Sequence, residues 1–288
     1  TGVSGTGSGN HTHTEIEFKT ADVTAVANTG SSSSAELQGS AGAKYYEGQA
    51  DAVASAAALT DSSGSSHTVT AQGGATTSTS VKKFGASSIS FDGTNDYLVV
   101  ASHNDFLFGT NDFTIEYFAY QTIDRMSVQV SKQSSGSARW FLGDFAWNRI
   151  GFDFNNGSWI DVEDTAQRDY NDIGLNTWHH VAFSVSSSTA RLYINGTKVK
   201  EEASFPSCSV AGDLWIGESK GYISENNRMQ GYMDEIRISN TARYTGATLT
   251  VPTARFTTDA NTKLLIHGEA GDPSGKITRV HGTSLAWK

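Results

Sequence analysis

Cysteine is nearly missing from this 288-residue chain, where Cys208 stands alone. One thiol cannot close an intramolecular disulfide, and no Cys/His spacing typical of a metal framework occurs. A secreted eukaryotic β-sandwich more often carries a disulfide, so the composition points to a bacterial or viral origin. Proline is scarce as well, with three residues, and chain reversals must rest on Gly, Asn, Asp and Ser. Charge is thin and one-sided: charged residues make up 18% of the chain, with 21 Lys and Arg against 30 Asp and Glu. A net charge of −9 and the lack of any basic run exclude nucleic acid as a partner, because phosphate binding needs clustered cations. No apolar run reaches membrane-spanning length, which excludes a membrane span. No signal peptide is visible. The sequence starts at Thr1 rather than a methionine, as expected of a processed product or an excised segment.

What fills the gap is Ser, Thr, Gly and Asn, beside 37% hydrophobic residues. That balance suits a turn-rich β protein and excludes a helical bundle, which needs Glu, Lys and Leu. Residues 1–45 read as a flexible docking arm. Thr1–Asn10 is Gly/Ser/Thr-rich, Glu15–Ala27 alternates enough for one or two short strands, and Ser31–Ser34 is linker-like. This arm has too little apolar surface to fold alone.

Residues 46–258 read as one all-β domain, because short alternating runs recur with turn residues between them. In Phe113–Tyr120 alternation puts Phe113, Ile115, Tyr117 and Ala119 on one face, predicted to be buried, and Thr114, Glu116, Phe118 and Tyr120 on the other. Trp178, Val181 or Phe183, Leu192, Ile194 and Ile236 are expected in the same core. Gly48–Leu59 is alanine-rich and suits a helical turn. Residues 259–288 form a tail with one strand, Lys263–His267. Asp272-Pro-Ser-Gly in that tail echoes Asp61-Ser-Ser-Gly, so the tail is either the stump of a repeat or a clasp on the same sheet.

The most telling stretch is Asn176-Thr-Trp-His-His-Val-Ala-Phe-Ser-Val followed by Ala190-Arg-Leu-Tyr-Ile-Asn-Gly-Thr-Lys-Val. It is two alternating strands separated by a polar turn, the second ending on Asn195-Gly196, a favoured hairpin pair. Around it stand Phe84-Gly-Ala-Ser-Ser-Ile-Ser-Phe-Asp-Gly-Thr-Asn-Asp-Tyr-Leu, Asp112-Phe-Thr-Ile-Glu-Tyr-Phe-Ala, Leu214-Trp-Ile-Gly and Gly231-Tyr-Met-Asp-Glu-Ile-Arg-Ile-Ser. In this order the pieces resemble laminin-G-like domains of the concanavalin A-like type. The resemblance implies an all-β, two-sheet antiparallel jelly-roll sandwich. Asp61-Ser-Ser-Gly-Ser-Ser-His-Thr-Val-Thr, Thr79-Ser-Val-Lys-Lys-Phe-Gly and Arg243-Tyr-Thr-Gly are similar to laminin-G-like modules of tailed-bacteriophage virion proteins. That implies a capsid, tail or fibre setting.

Candidate chemistry is sparse. His179 and His180 are adjacent on a strand and point to opposite faces, so they do not share a metal ion. Asp92, Asn95, Asp96 and Asp234 supply the hard oxygens that calcium takes, and the resemblance implies structural calcium near the sandwich rim. The alternative is that Asp92-Gly93 is a turn and that Asp234 caps or pairs with Arg237. Glycoside hydrolases of this fold need two carboxylates projecting from one strand face. Trp159-Ile-Asp161-Val-Glu163 has Trp where the first acid is expected, and Glu235-Ile-Arg237-Ile-Ser239 is broken too, so no catalytic residues are assigned. Trp147, Trp159, Tyr170 and Tyr222 sit among polar residues and are the candidate sugar-stacking rings, with ordinary core packing as the alternative. Asn10, Asn156 and Asn195 fit the glycosylation sequon, but Asn156-Gly and Asn195-Gly read better as turns. The reading is a non-enzymatic module on a virion or other extracellular surface. It docks on neighbouring subunits in a homo-oligomer or larger assembly, with glycans as further partners. The second reading is a secreted bacterial carbohydrate-binding or adhesion module, and the third is a hydrolase of the same fold.

Overall fold

The computed structural model describes residues 36–38, 44–46, 59–134, 138–145, 149–219 and 228–269. The Thr1–Asn10 arm, the Glu15–Ala27 run and most of Gly48–Leu59 lie outside them, as do Trp147 and Tyr222. By internal contacts the chain divides into one unit of residues 58–275 and another of residues 1–57 and 276–288. In the smaller unit β1 (Glu36–Gln38) pairs antiparallel with β2 (Lys44–Tyr46).

The larger unit is built from two antiparallel sheets. One runs in the order β11 (Trp159–Glu163), β10 (Arg149–Asn155), β9 (Arg139–Phe145), β8 (Ser127–Gln133), β15 (Leu214–Ile216), β6 (Tyr97–Val100), β3 (Val69–Gln72). The other runs β14 (Thr197–Glu202), β13 (Thr189–Ile194), β12 (His179–Ser186), β7 (Phe113–Gln121), β16 (Gln230–Ser239), β5 (Ser88–Asp92), β4 (Thr76–Ser78). An eighth strand, β17 (Thr262–Ile266), also pairs with β16. The tail strand is therefore a clasp on the same sheet, and the sandwich extends past residue 258. A single helical turn, α1 (Tyr170–Ile173), is closed by a capping box between Asp169 and Asp172. No helix among the described residues is long and apolar enough to cross a membrane.

Turn chemistry sets the register. Asn195 and Gly196 both take positive φ, 49° and 87°, the paired left-handed geometry of a tight hairpin between β13 and β14. Ser187 and Ser188 do the same between β12 and β13, at 47° and 58°. The Ser187 N–H donates to Asp112 Oδ1 at 2.8 Å.

The core lies between the sheets. Phe113, Ile115, Tyr117 and Ala119 are all buried in it, with both Val181 and Phe183 and with Leu192, Ile194 and Ile236. The rings of Phe152 and Phe183 stack at 3.9 Å across the sandwich. Trp178 departs from expectation. It precedes β12 and packs with Phe84 and Val251 against Phe118, Phe256 and Leu265, on the outer face of the eight-stranded sheet.

Part of that outer face is covered by chain. Residues 240–258 cross it: Arg243 N–H donates to Thr114 Oγ1 at 2.9 Å, and Phe256 N–H donates to Glu235 Oε2 at 2.7 Å. At the centre is Glu116, fully buried. Its Oε1 accepts from Arg237 Nε at 2.9 Å and Nη2 at 2.7 Å, and its Oε2 accepts from the Tyr244 hydroxyl at 2.8 Å. His180 Nε2 lies 3.2 Å from Oε2. Burial pushes the Glu116 carboxyl up, but the His180 hydrogen bond, the Arg237 charge and Tyr244 outweigh it and hold it below its ordinary value. Beside it β16 bulges between Asp234 and Arg237, and Glu235 takes a positive φ of 53°. The bulge lets β16 pair with β5 through Gln230–Met233 and with β17 through Ile236–Ser239. Glu116→Ala leaves Arg237 and His180 buried without their partner and is expected to cost about 3–5 kcal/mol. A drop in the urea midpoint checks it, and an unchanged midpoint contradicts it.

Candidate functional site

On the outer face of the seven-stranded sheet the accessible chemistry lies along β11, while Phe141 and Asp153 beside it are buried. The β9, β10 and β11 registers place Asn155 opposite Trp159, Asp153 opposite Asp161 and Gly151 opposite Glu163. Arg139 pairs with Asn155, and Phe141 with Asp153. Alternation then sends Ile160 and Val162 toward the core, while Trp159, Asp161 and Glu163 share the outer face. Trp159 is 41% exposed, the most exposed large apolar side chain among the described residues. Its ring centroid is 5.6 Å from the Arg139 guanidinium carbon. Asp161 is exposed and Glu163 half-buried. From Trp159 to Glu163 the strip runs about 13 Å along the strand.

At its far end the strip opens into a shallow cleft of ≈ 170 Å³ lined by Arg149, Asp161, Glu163, Asp164, Thr165, Gln167 and Lys200. Arg149 Nη1 donates to Glu163 Oε2 at 2.9 Å. The following loop is pinned by Asp164, which accepts from Ala166 N–H at 3.0 Å and from Arg168 Nε at 2.7 Å. Thr165 Oγ1 donates to Val199 O at 3.0 Å, tying this loop to β14 in the other sheet.

Next to Asp161 on the same face sits Asp153, 2% exposed, whose Oδ1 is buried without a hydrogen-bond partner. Burial, then the charges of Glu163 and Asp161, push its carboxyl up to about 8. It is therefore neutral near pH 7.

The structure sorts the predicted rings and ligands. Trp159 is on the accessible strip. Tyr170 is not a platform: it is fully buried in the core cluster beneath α1, 6.0 Å from the His179 ring. The Asp169 cap fixes the turn that turns this ring inward. Trp147 and Tyr222 fall outside the described residues. Of the proposed calcium ligands, Asp92 Oδ1 accepts from Thr94 N–H at 2.7 Å, and Asp96 accepts from the N–H groups of Gly74 and Asp92. The Arg125 guanidinium already donates to Gly93 O at 2.7 Å in the same loop. Asp234 lies elsewhere. Its Oδ2 accepts from Lys83 and Phe84 N–H and its Oδ1 from Glu235 N–H. Asp92 pairs with Gln230, and Asp234 is four residues further along β16, about 13 Å away. Oxygens so spaced do not converge on one calcium ion, which needs them about 2.4 Å from its centre. The set fits turn and bulge clamps instead, and Arg237 pairs with Glu116 rather than Asp234. His179 and His180 do face opposite ways: His179 bonds Gly174 O and Asn195, His180 meets Glu116.

Arg139, Asp153 and Asn155 were missed from sequence. The Arg149–Asn155 alternation was visible, but which of its faces is outward depends on the neighbouring strands.

Asp153 sets a pH test. Its folded-state pKa is raised above the unfolded value, so the native state keeps a proton that the unfolded state releases. Stability from this group is full below about pH 4 and falls as pH rises toward 8. Asp153→Asn is expected to raise the melting temperature at pH 7 and leave it nearly unchanged at pH 4; equal effects at both pH values contradict the assignment.

A family model described as Laminin_G_3, the concanavalin A-like lectin/glucanases superfamily, matches residues 92–245. The fold is similar to domain 4 of AbnA, a GH43 extracellular arabinanase from Geobacillus stearothermophilus, solved in complex with arabinotriose. The TM-score is 0.50 and the identity 16%, over 62% of this chain and 83% of that one. The botulinum neurotoxin serotype D binding domain aligns at TM-score 0.48 and 13% identity, over 65% of this chain and 46% of that one. The enzymatically active domain of bacteriophage CBA120 tailspike protein 2 aligns at TM-score 0.46 and 10% identity, over 70% and 33%. No curated protein matches the sequence.

Proposed function

This chain belongs to the concanavalin A-like lectin/glucanases superfamily, and on that premise we propose that it is a non-catalytic glycan-binding module of an extracellular or virion surface. The observation that carries the reading is Trp159, a large exposed indole on an outward strand face with Arg139, Asn155 and Asp161 around it. An aromatic ring buries the apolar face of a sugar while polar groups beside it bond the hydroxyls. Asp161 accepts from hydroxyls, Arg139 and Arg149 donate, and a strip about 13 Å long takes an oligosaccharide rather than one ring. The arabinanase domain of the same fold was solved with arabinotriose, which supports an oligosaccharide as the ligand class.

Asp161 and Glu163 sit on one strand face, as a hydrolase pair requires, and this favours the hydrolytic alternative. Against it, Trp159 occupies the first position of the run, Arg149 engages Glu163, and the neighbouring carboxyl, Asp153, is buried. We therefore assign binding without cleavage. The phrases similar to tailed-phage modules support a virion as the setting, where the module docks on neighbouring subunits.

A polysaccharide and glycan-array screen of the intact chain tests the proposal. Trp159→Ala is expected to weaken the strongest hit roughly tenfold or more, equivalent to about 1.4 kcal/mol, with an unchanged melting temperature. Binding that survives this substitution rules out the strip, and reducing-sugar release from any polysaccharide in the panel rules out the non-catalytic assignment.

A further inference from the structure

At the edge of the seven-stranded sheet, β3 and β6 run antiparallel with Val69 opposite Val100. The chain entering β3 and the chain leaving β6 therefore emerge at the same end. His67 lies just before β3. His103 and Asp105 lie just after β6, in a short 3-10 turn over Asn104–Phe106. His67 Nε2 is 3.1 Å from Asp105 Oδ2, and His103 Nδ1 is 3.4 Å from the same oxygen. One ligand atom from each residue lies within 4.8 Å of the other two. We propose that His67, His103 and Asp105 form a binding site for a divalent transition metal of the zinc class, with two imidazoles, one carboxylate and a fourth position open to water.

The spacing suits the ion. Ligands bound to zinc at about 2.0–2.2 Å in a tetrahedron stand about 3.3–3.5 Å apart, and the separations of 3.1 and 3.4 Å bracket the lower end of that range. The chemistry of the donors fits as well. His103 Nδ1 accepts the Asp105 backbone N–H at 3.2 Å, a bond that a metal ion taking the same lone pair would replace. Without metal, the contact between His67 Nε2 and Asp105 needs a proton between them; a bound cation replaces that proton, which leaves to solvent.

Support around the cluster is built in. Ser65 Oγ donates to Asp105 Oδ2 at 2.7 Å, the outer hydrogen bond that orients a ligating carboxylate. The His67 backbone is fixed by its N–H to Asp61 Oδ2 at 2.8 Å, and Asp61 in turn holds Leu265 N–H at 2.9 Å. Phe106, fully buried, lies under the imidazole of His67 at 4.9 Å. The His103 side chain is 52% exposed, which gives an ion and its water a path in. Calcium is the wrong guest, since it takes six to eight oxygens.

Bound there, the ion staples the loop over residues 61–67 to the connection between β6 and β7. Native mass spectrometry and thermal melting of the intact chain with ZnCl₂, after EDTA treatment, provide the test. His103→Asn keeps a capping acceptor for the turn but removes the imidazole. The wild type is expected to take up zinc at micromolar concentration and to melt several degrees higher with it. The Asn variant should lose one equivalent and that shift, while melting like the wild type in EDTA. Cobalt in place of zinc should give visible d–d absorption in the wild type and not in the variant. Zinc uptake and shift unchanged in His103→Asn would move the ion to other histidines, such as His11 and His13, and overturn the site. No uptake by the wild type overturns it equally.

Discussion

The structure turns on a single buried carboxylate. Glu116 sits on the outer face of β7 with Arg237 of β16, His180 of β12 and Tyr244 of the crossing segment converging on it. Four parts of the chain thus meet at two oxygen atoms. An ionised acid tolerates such burial only when every lone pair has a donor and a cation is close. The guanidinium of Arg237 also lies 4.0 Å from the centre of the Phe256 ring, so the ionic centre and the apolar lid form one unit. Residues 240–258 thereby cover the part of this sheet's outer face around Glu116, while Tyr120, Trp178 and Tyr232 on the same face stay half-buried.

The same device recurs wherever the chain lacks prolines and disulfides to stiffen its loops. Asp61 ties residues 63 and 67 to β17, Asp96 closes the loops around Gly74 and Asp92, Asp169 caps α1, and Asp234 takes two amides from residues 83 and 84. A carboxylate that accepts backbone N–H groups supplies what a turn residue or a crosslink supplies elsewhere. The abundance of acidic residues is partly explained by this internal use. It also explains why Asp92, Asp96 and Asp234 resemble calcium ligands in the sequence while their carboxylates serve the backbone in the fold.

Much of the architecture is legible before any coordinates. Alternation in Phe113–Tyr120 names the buried face, and Asn195-Gly196 names the hairpin, because both signals are local. Trp178 is misread because β7, β12 and β16 are buried on both faces, and alternation cannot tell an inner apolar face from a covered outer one. Tyr170 is misread for a related reason: polar neighbours Asp169, Asn171 and Asp172 suggest a surface, but a capping box turns the ring inward. Trp159 is legible as an exposed ring, whereas Asp153 on the same face is not, since its burial and raised pKa arise from strands nine and eleven together. His67 is more than thirty residues from His103 and Asp105, and only the pairing of β3 with β6 brings the three to one corner.

The central claim is that recognition resides on the β10–β11 face and not on the Glu116 face or the rim. An amide and indole chemical-shift map, recorded while an oligosaccharide that binds in the array is titrated into the protein, tests it most directly. The account predicts that perturbations centre on the Trp159 indole N–H and spread through Asn155, Asp161 and Glu163. Perturbations confined to the rim loops or to the Glu116 face, with the Trp159 signal unmoved, would contradict it.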